Sequence, residues 1–441
     1  MTVTASAATR LAGRERLAGL ASALRRSEYA VVLFATAAVC LHIVDDNFVQ
    51  PARGTSAADH LASGLVPIAG LLIVAVLYPS LRAGARATMA MTLGAVAITF
   101  GVPAAYYLLD GTASGDHYTG LLALVAGVVL LACGPVTLWK ARRRDGSRRR
   151  RYLRRSLTIV AVPFLTLAIV WFLVFPIGFA YIYTHTGKGP VAPELGVPYE
   201  SVSVKTSDSL ELAASYVPSH NRAAIVLYPG ATRPEQARML IRHGYGVLLL
   251  DPRGQGSSEG DTVRWAGDRD LLAGLQYLRS RPDVDRDRLG GFGFSIGGEM
   301  LLEAAAQSDG FRAIVSEGAG SRVGDEDVSG PARLLAEPNL AVMTAAVTVF
   351  SNHGPPPPIV DRIGKIAPRA VFLIYAEHGI GGENVRQPMY YAAAGNPKAL
   401  WRVPGSKHTG GIEARPSEYE QRVIAFFDGA LLGDESNGTN P

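Results

Sequence analysis

Long apolar stretches alternate with short polar loops through the first 185 residues of the chain. Each stretch holds about 20 residues, the length that an α-helix needs to cross a bilayer. A single stretch of this kind also fits a buried core helix, but five in succession favour a membrane bundle. The sequence therefore predicts an N-terminal all-α membrane region over 28–183, with five spans at 28–46, 61–79, 88–109, 118–139 and 156–183.

The charges of the loops alternate along this region. Arginines crowd the basic leader 1–27, the second loop and the fourth loop, whereas the first and third loops carry mainly aspartate. Because basic loops stay on the cytoplasmic side, we expect the N-terminus inside and everything after residue 183 outside. The predicted location is the cytoplasmic (plasma) membrane, as a multi-pass protein with the lipid bilayer as a partner.

After a Gly- and Pro-rich linker at 184–199, the hydrophobic pattern changes. Short apolar runs such as 223–228 and 246–250 are bounded by turn residues and separated by helical segments. Runs of this kind are typical of buried parallel strands. Strand and helix in alternation predict a mostly parallel sheet with helices on both faces over 200–432. The polar residues 433–441 are predicted to form a flexible tail.

One connection between two predicted strands, at about 320–369, is too long for a simple crossover. It contains an apolar run at 340–350 and four consecutive prolines at 355–358. We interpret it as a small lid over a pocket, whose apolar face contacts acyl chains or the outer leaflet. An ordinary amphipathic helix packed on the core is the alternative.

Charge and composition exclude several classes of partner and site. The net charge of +5 comes largely from arginines beside the apolar segments, without a basic-aromatic motif, so no nucleic-acid partner is expected. The two cysteines, Cys40 and Cys133, lie inside apolar runs, which argues against a disulfide framework or a cysteine metal site. His, Cys and Asp residues show no metal-ligand spacing, and no metal or cofactor is expected.

A G-x-S-x-G motif around Ser295 is the strongest chemical signal in the second half. It follows the apolar, Gly-rich run 289–294 and precedes a helical segment that begins at Ile296. A serine on such a sharp strand-to-helix turn is held in a strained conformation with its hydroxyl exposed. The motif therefore makes Ser295 a candidate nucleophile.

Several motifs in order give this half a resemblance to a known family. They are a strand with a Gly loop at 228–230, the D-x-R-G-x-G-x-S-x-G loop from Asp251, the turn at Ser295, and a late histidine before a final helix. Residues 200–430 resemble the α/β-hydrolase family, and most closely its serine aminopeptidase-like and dienelactone-hydrolase-like domains. The resemblance implies the α/β-hydrolase fold and assigns Arg253 and Asp251 to a structural turn.

A serine hydroxyl attacks well only when a base takes its proton. The resemblance implies the order Ser, acid, His along the chain and places the base after a late strand. His408 stands there, between the run 399–403 and the final helix, and is the predicted base. His353, His378 and His243 fit that place less well.

The predicted acid departs from the usual pattern of the family. An Asp is expected shortly after the run 370–375, but the sequence there offers only Glu377 and Glu383. A glutamate can also accept the imidazole N–H and stabilise the imidazolium. We favour Glu383, which follows a Gly-rich turn, with Glu377 as the alternative acid. Asp325, Asp327 or the absence of an acid stay open.

Backbone N–H groups are expected to stabilise the oxyanion. By resemblance, Ile296 supplies one N–H group and Ala231 the other.

These features predict a membrane-anchored serine hydrolase that cleaves carboxylic ester-type bonds outside the membrane. Its substrate would be a small-molecule or lipid-like acyl compound. Two alternatives stay open: a serine aminopeptidase-type peptidase, and a non-catalytic hydrolase-like sensor or scaffold on the membrane bundle.

Overall fold

The computed structural model describes residues 27–433 except 110, 112, 114, 142–146, 187–191, 231, 263–264, 321–332 and 381. The predicted leader, the tail and much of the linker and lid segments therefore lie outside the described residues. The chain divides into two compact units. A helical unit contains Met1–Pro51, Ser56–Tyr183 and Leu334–Asn352, and a sheet unit contains Ala52–Thr55, Thr184–Arg333 and His353–Pro441.

The described residues form one eight-stranded sheet and two sets of helices. The strands are β1 (Glu200–Lys205), β2 (Glu211–Val217), β3 (Ala224–Tyr228), β4 (Gly246–Leu250), β5 (Leu289–Phe294), β6 (Ala313–Glu317), β7 (Ala370–His378) and β8 (Lys398–Lys407). The helices are α1 (Ser27–Val49), α2 (Leu61–Ser80), α3 (Ala83–Leu109), α4 (His117–Lys140), α5 (Arg148–His185), α6 (Pro234–Arg242), α7 (Gly267–Arg279), α8 (Ile296–Gln307), α9 (Arg333–Ser351), α10 (Glu383–Ala393), α11 (Gly411–Ala414) and α12 (Pro416–Phe427).

Among the described residues, six helices are long and apolar enough to cross a membrane, namely α1 to α5 and α9. The first five confirm the helices that the apolar stretches predict. Their outward faces carry large apolar side chains, for example Phe34, Val76 and Phe164, which are 82%, 74% and 73% exposed. Such faces suit a hydrocarbon environment, where burying apolar groups against other helices gives no advantage.

The sixth apolar helix, α9, lies within the segment that the sequence predicts as a lid. Leu334–Asn352 belongs to the helical unit rather than to the sheet unit. The Asn339 side chain donates to the Trp171 carbonyl oxygen at 2.6 Å, and the Phe350 ring packs edge-on against Tyr181 at 5.5 Å. The later residue of α9 contacts the later residue of α5, so the two helices run parallel. The apolar run forms a helix, as the alternative interpretation expects, and it packs against the apolar helix α5.

A polar network holds the ends of three helices of this unit together. His42 of α1 is buried; its Nδ1 lies 3.2 Å from Thr119 Oγ1 on α4, and its Nε2 lies 3.3 Å from the Tyr181 hydroxyl on α5. Thr119 also donates to Asp45 at 2.8 Å. The ionisable side chains at this end of α1 are therefore hydrogen-bonded within the bundle, as buried polar groups must be.

The sheet has the strand order β1-β2-β4-β3-β5-β6-β7-β8. The first two strands pair antiparallel, and β3 to β8 are mutually parallel wherever they pair. Strands β3 to β6 are buried along their whole length, as the unbroken apolar runs predict. This confirms the mostly parallel sheet.

Helices cover both faces of the sheet and form two separate cores. Leu271 of α7, Leu301 of α8 and Tyr390 of α10 pack on one face. Met239 of α6 and Phe427 of α12 pack on the other. In an open parallel sheet of this kind, loops at the carboxyl ends of the strands form the binding crevice. The candidate nucleophile follows β5 at that edge.

Candidate active site

Ser295 occupies the sharp turn between β5 and α8. Its backbone has φ 53° and ψ −127°, a conformation that non-glycine residues rarely adopt. The Ser295 N–H donates to the carbonyl oxygen of Glu317 at 2.8 Å, which fixes the turn to the end of β6. Strain of this kind persists only where the surrounding structure holds it, and it is concentrated at functional sites.

The two glycines of the motif are explained by close packing. A Cβ at Gly293 would lie 2.6 Å from the Gly297 carbonyl oxygen. A Cβ at Gly297 would lie 2.6 Å from the Tyr228 carbonyl oxygen. Neither contact can be accommodated without moving backbone, so the turn requires glycine on both sides of Ser295.

His408 lies beside Ser295, in the loop that follows β8. Its Nε2 is 2.9 Å from Ser295 Oγ, and the ring is partly buried, with 23% of the side chain exposed. The next residue, Thr409, has φ 53°, so the chain turns sharply after the histidine. The loop and the β5–α8 turn are 113 residues apart in sequence.

Glu383, the first residue of α10, accepts a hydrogen bond from His408. Its Oε1 lies 2.8 Å from His408 Nδ1 and also accepts the Ile380 N–H at 3.1 Å. The Ala376 N–H donates to the other carboxylate oxygen at 3.3 Å. The side chain is fully buried and stands at a helix N-terminus, where a negative charge is favourable.

The alternative acid, Glu377, faces a different part of the surface. Its two oxygens accept bonds from Arg402 and from the Gly405 N–H, each at 2.7 Å. The Gly405 N–H, followed by the charge of Arg402, holds the pKa of this carboxyl below its usual value. Glu377 has no hydrogen bond to His408. Asp325 and Asp327 lie outside the described residues.

One of the two predicted oxyanion donors can be located. Ile296 is the first residue of α8, where helix geometry leaves backbone N–H groups without an intrahelical acceptor. The other, Ala231, lies outside the described residues. A cavity of about 240 Å³ opens beside Ser295 and Ile296, lined also by Arg233, Phe294 and Met300 among others.

Arg253, at the cavity wall, has a structural role. Its guanidinium is 3% exposed and pairs with Asp270 at 2.7 Å and with Asp208 at 2.8 Å. Asp270 also accepts from the Tyr228 hydroxyl at 2.9 Å. The Asp-Pro-Arg-Gly loop is thereby tied to β3 and α7, as the resemblance implies. Within the described ranges, no group of three or more His, Cys, Asp or Glu residues could hold a metal ion.

Two residues near the site, Glu317 and Arg233, were not predicted from the sequence. Glu317 ends β6 with its carboxyl fully enclosed, accepting from the Tyr419 hydroxyl and from the Gly411 N–H at 3.0 Å. Burial raises its pKa. Arg233 projects from the loop before α6 towards Phe294 and Thr409. For Glu317, the sequence shows only a lone glutamate at the end of an apolar strand. For Arg233, no feature of the sequence indicates a role in the site.

Comparisons with known proteins agree with this fold. Residues 196–389 match the family model described as X-Pro dipeptidyl-peptidase (S15 family). The uncharacterized protein YfhR of Escherichia coli (strain K12) is 24% identical over 251 residues, which cover 53% of this chain and 81% of that protein. The C-terminal domain has the α/β-hydrolase fold, a mostly parallel sheet with helices on both faces.

Two further proteins are similar to this α/β-hydrolase domain. The polyketide transferase grgF of Penicillium sp is 30% identical over 121 residues, covering 25% of this chain and 41% of that protein. The crystal structure of the Pyrococcus furiosus esterase Pf2001 has 20% sequence identity and a TM-score of 0.45, and it covers 56% of this chain and 99% of that one. The matched family model is that of a hydrolase.

Proposed function

We propose that this chain is a membrane-anchored serine hydrolase that cleaves carboxylic ester-type acyl bonds. The observation that carries the proposal is a continuous chain of hydrogen-bonding atoms. Ser295 Oγ lies 2.9 Å from His408 Nε2, and His408 Nδ1 lies 2.8 Å from Glu383 Oε1. These distances are within the range that nucleophile, base and orienting acid require.

In the proposed reaction, Ser295 Oγ attacks the acyl carbonyl and gives its proton to His408 Nε2. Glu383 keeps the Nδ1–H of His408 in place and stabilises the imidazolium. The N–H groups of Ile296 and Ala231 stabilise the oxyanion. His408 then protonates the leaving alcohol, and a water molecule, activated by the same histidine, releases the acid and restores Ser295.

The cavity favours an ester hydrolase over an aminopeptidase-type enzyme. An enzyme that removes residues from a peptide N-terminus must hold an ammonium group, which needs a carboxylate nearby. The described lining contains no Asp or Glu, and of its two arginines Arg253 is paired with Asp208 and Asp270, which leaves Arg233 as the cation. This environment is unfavourable for an ammonium group, although the matched family model is that of a peptidase.

The proposal is tested by labelling the detergent-solubilised full chain with a fluorophosphonate, which reacts with activated serines. We expect labelling and hydrolysis of 4-nitrophenyl butyrate by the wild-type chain, and neither by Ser295→Ala. Ser201→Ala, at an exposed position of β1, is the matched control and should behave as wild type. A folded wild-type chain that is neither labelled nor active would support the scaffold alternative.

We also propose that the hydrolase domain faces the outside of the cytoplasmic membrane. The support is the alternation of basic and acidic loops together with the odd number of apolar helices before β1. In a chain with Cys40 and Cys133 replaced by alanine, Ser201→Cys should react with an impermeant maleimide on spheroplasts. Ser147→Cys should react only after lysis, and the reverse pattern would contradict the orientation.

A further inference from the structure

Arg233 is a cation in the cavity beside the candidate nucleophile. It stands immediately before α6, in the loop that follows β3, and it lines the same cavity as Ser295. Its guanidinium carbon lies 4.6 Å from the centre of the Phe294 ring. Phe294 directly precedes Ser295 in sequence, and all three residues line the same cavity.

Few of the donors of Arg233 are used. A guanidinium has five N–H donors. One nitrogen, Nη2, donates to Thr409 Oγ1 at 3.1 Å. The Nε atom is buried and has no hydrogen-bond partner. A buried donor without a partner is costly, and native structures contain few of them. The described residues therefore use only part of the donor capacity of Arg233.

No carboxylate of the described part of the chain pairs with Arg233. The other cavity arginine, Arg253, has two such partners, Asp208 and Asp270. Glu317 is near enough for the charge of Arg233 to act on its pKa. However, the Glu317 oxygens already accept from Tyr419 and from the Gly411 N–H.

The contacts of Arg233 also restrict its orientation. Stacking on Phe294 holds one face of the guanidinium, and Thr409, the neighbour of His408, holds one corner. A planar guanidinium that is fixed in this way loses little freedom when it binds a carboxylate through two parallel hydrogen bonds. Arginine is the side chain best suited to this bidentate geometry.

We propose that Arg233 is a specificity-determining residue that binds a carboxylate of the substrate. The inference rests on the proposed function and deepens it. A cavity of about 240 Å³ is smaller than the pockets that hold drug-sized ligands, at roughly 300–1,000 Å³. The substrate class is therefore esters of short acyl groups that carry a carboxylate a few bonds from the scissile carbonyl, such as half-esters of dicarboxylic acids.

The test compares two esters that differ only in the distant carboxylate. These are 4-nitrophenyl pentanoate and the mono-4-nitrophenyl ester of glutaric acid, both hydrolysed by the full chain in detergent. We expect Arg233→Met to lower the ratio of kcat/KM for the anionic ester to that for the neutral ester at least tenfold, mainly through KM. Arg233→Lys, which keeps the charge without the planar fork, should give an intermediate ratio.

Arg238→Met is the matched control. Arg238 lies on α6, and it donates to the Glu194 carbonyl oxygen at 2.7 Å, outside the cavity lining. This variant should leave the ratio of the two esters at its wild-type value. If Arg233→Met lowers kcat/KM for both esters by the same factor, Arg233 only supports Phe294 and Thr409, and the inference is overturned.

A binding measurement separates this inference from the proposed function. The Ser295→Ala chain cannot form an acyl intermediate, but its Arg233 is intact. Calorimetric titration with glutarate should show binding to Ser295→Ala and at least tenfold weaker binding when Arg233→Met is added. Glutarate binding without ester hydrolysis by the wild type would refute the proposed function alone. Ester hydrolysis without Arg233-dependent discrimination or binding would refute the inference alone.

Discussion

Glu317 connects to Ser295 through its backbone and to the His408 loop through its side chain. The Glu317 carbonyl oxygen accepts the Ser295 N–H at 2.8 Å. Its carboxyl accepts the Gly411 N–H at 3.0 Å and the Tyr419 hydroxyl. One residue at the end of β6 therefore holds both segments that carry the proposed nucleophile and base, although they are far apart in sequence.

Removing the Tyr419 hydroxyl should loosen this connection. Tyr419→Phe leaves the buried Glu317 carboxyl with one donor fewer, and hydrogen bonds to charged groups contribute about 1.5–3 kcal/mol. We expect lower thermal stability and, because the His408 loop is less firmly held, a kcat reduced by about tenfold. Tyr245→Phe is the control, since its hydroxyl donates to Asp428 at 2.6 Å away from the site. It should lose stability while keeping kcat; equal kcat losses would contradict the positioning role.

The favoured acid, Glu383, and the alternative acid, Glu377, should differ sharply in function. Glu383→Gln keeps the size of the side chain but removes the charge that faces His408, so kcat for an activated ester should fall by about 10²–10⁴. Glu377→Gln changes a surface contact with Arg402 and should stay within about twofold of wild type. The rate of fluorophosphonate labelling should follow the same order. A larger loss of kcat in Glu377→Gln than in Glu383→Gln would show that Glu383 is not the acid.

The close packing at the nucleophile turn predicts that Gly297 tolerates no side chain. In Gly297→Ala, the new Cβ would lie 2.6 Å from the Tyr228 carbonyl oxygen and 2.9 Å from Pro229 Cδ. We expect a folded yield or activity reduced at least a hundredfold, because β3 or α8 must move. Gly354→Ala is the control, since a Cβ there meets nothing within 4 Å. A Gly297→Ala chain with normal melting and hydrolysis would contradict this packing.

Lowering the pH should remove the contribution of Asp208 to the stability of the fold. Partial burial opposes ionisation of Asp208, but hydrogen bonds from Arg253 and Thr206 outweigh it and hold the pKa well below its usual range. A depressed pKa contributes stability above the unfolded-state value of about 3.9, and that contribution is lost as pH falls towards the folded-state value.

Asp208→Asn should therefore lower the inactivation temperature at pH 7, by an effect on the order of 1 kcal/mol. The difference from wild type should shrink progressively below about pH 4. Glu418→Gln, which removes an exposed pair with Arg422, should change little at either pH. A wild-type-to-variant difference that stays constant down to the lowest pH measured would contradict the assignment.

Labelling at Leu334 distinguishes a membrane helix from a lid in α9. Leu334 is apolar and 80% exposed, which suits contact with lipid. In a chain without native cysteines, Leu334→Cys should react with a membrane-soluble maleimide and resist an impermeant one on both sides of the membrane. Gly354→Cys, just beyond α9, is the accessible control. Labelling of Leu334→Cys by the impermeant maleimide would support the lid interpretation.

The local pattern of hydrophobic residues was sufficient to predict the main helices and strands of both units. The thickness of a bilayer sets the length of an apolar helix that crosses it, and each helix shows this length in its own sequence. The helices α1 to α5 could therefore be predicted directly. Unbroken apolar runs indicated the buried strands for the same reason. The turn at Ser295 was readable because glycines are needed at fixed short distances on either side of it.

The sequence by itself determined that an apolar helical region precedes an α/β-hydrolase domain with a serine on a strained turn. Only the tertiary structure decided that Glu383 rather than Glu377 faces His408, that Glu317 joins the two loops, that Arg233 enters the cavity, and that α9 belongs to the unit of apolar helices. The physical reason is distance along the chain. Helix and strand patterns arise between residues a few positions apart, whereas these contacts join segments that meet only after the sheet has formed.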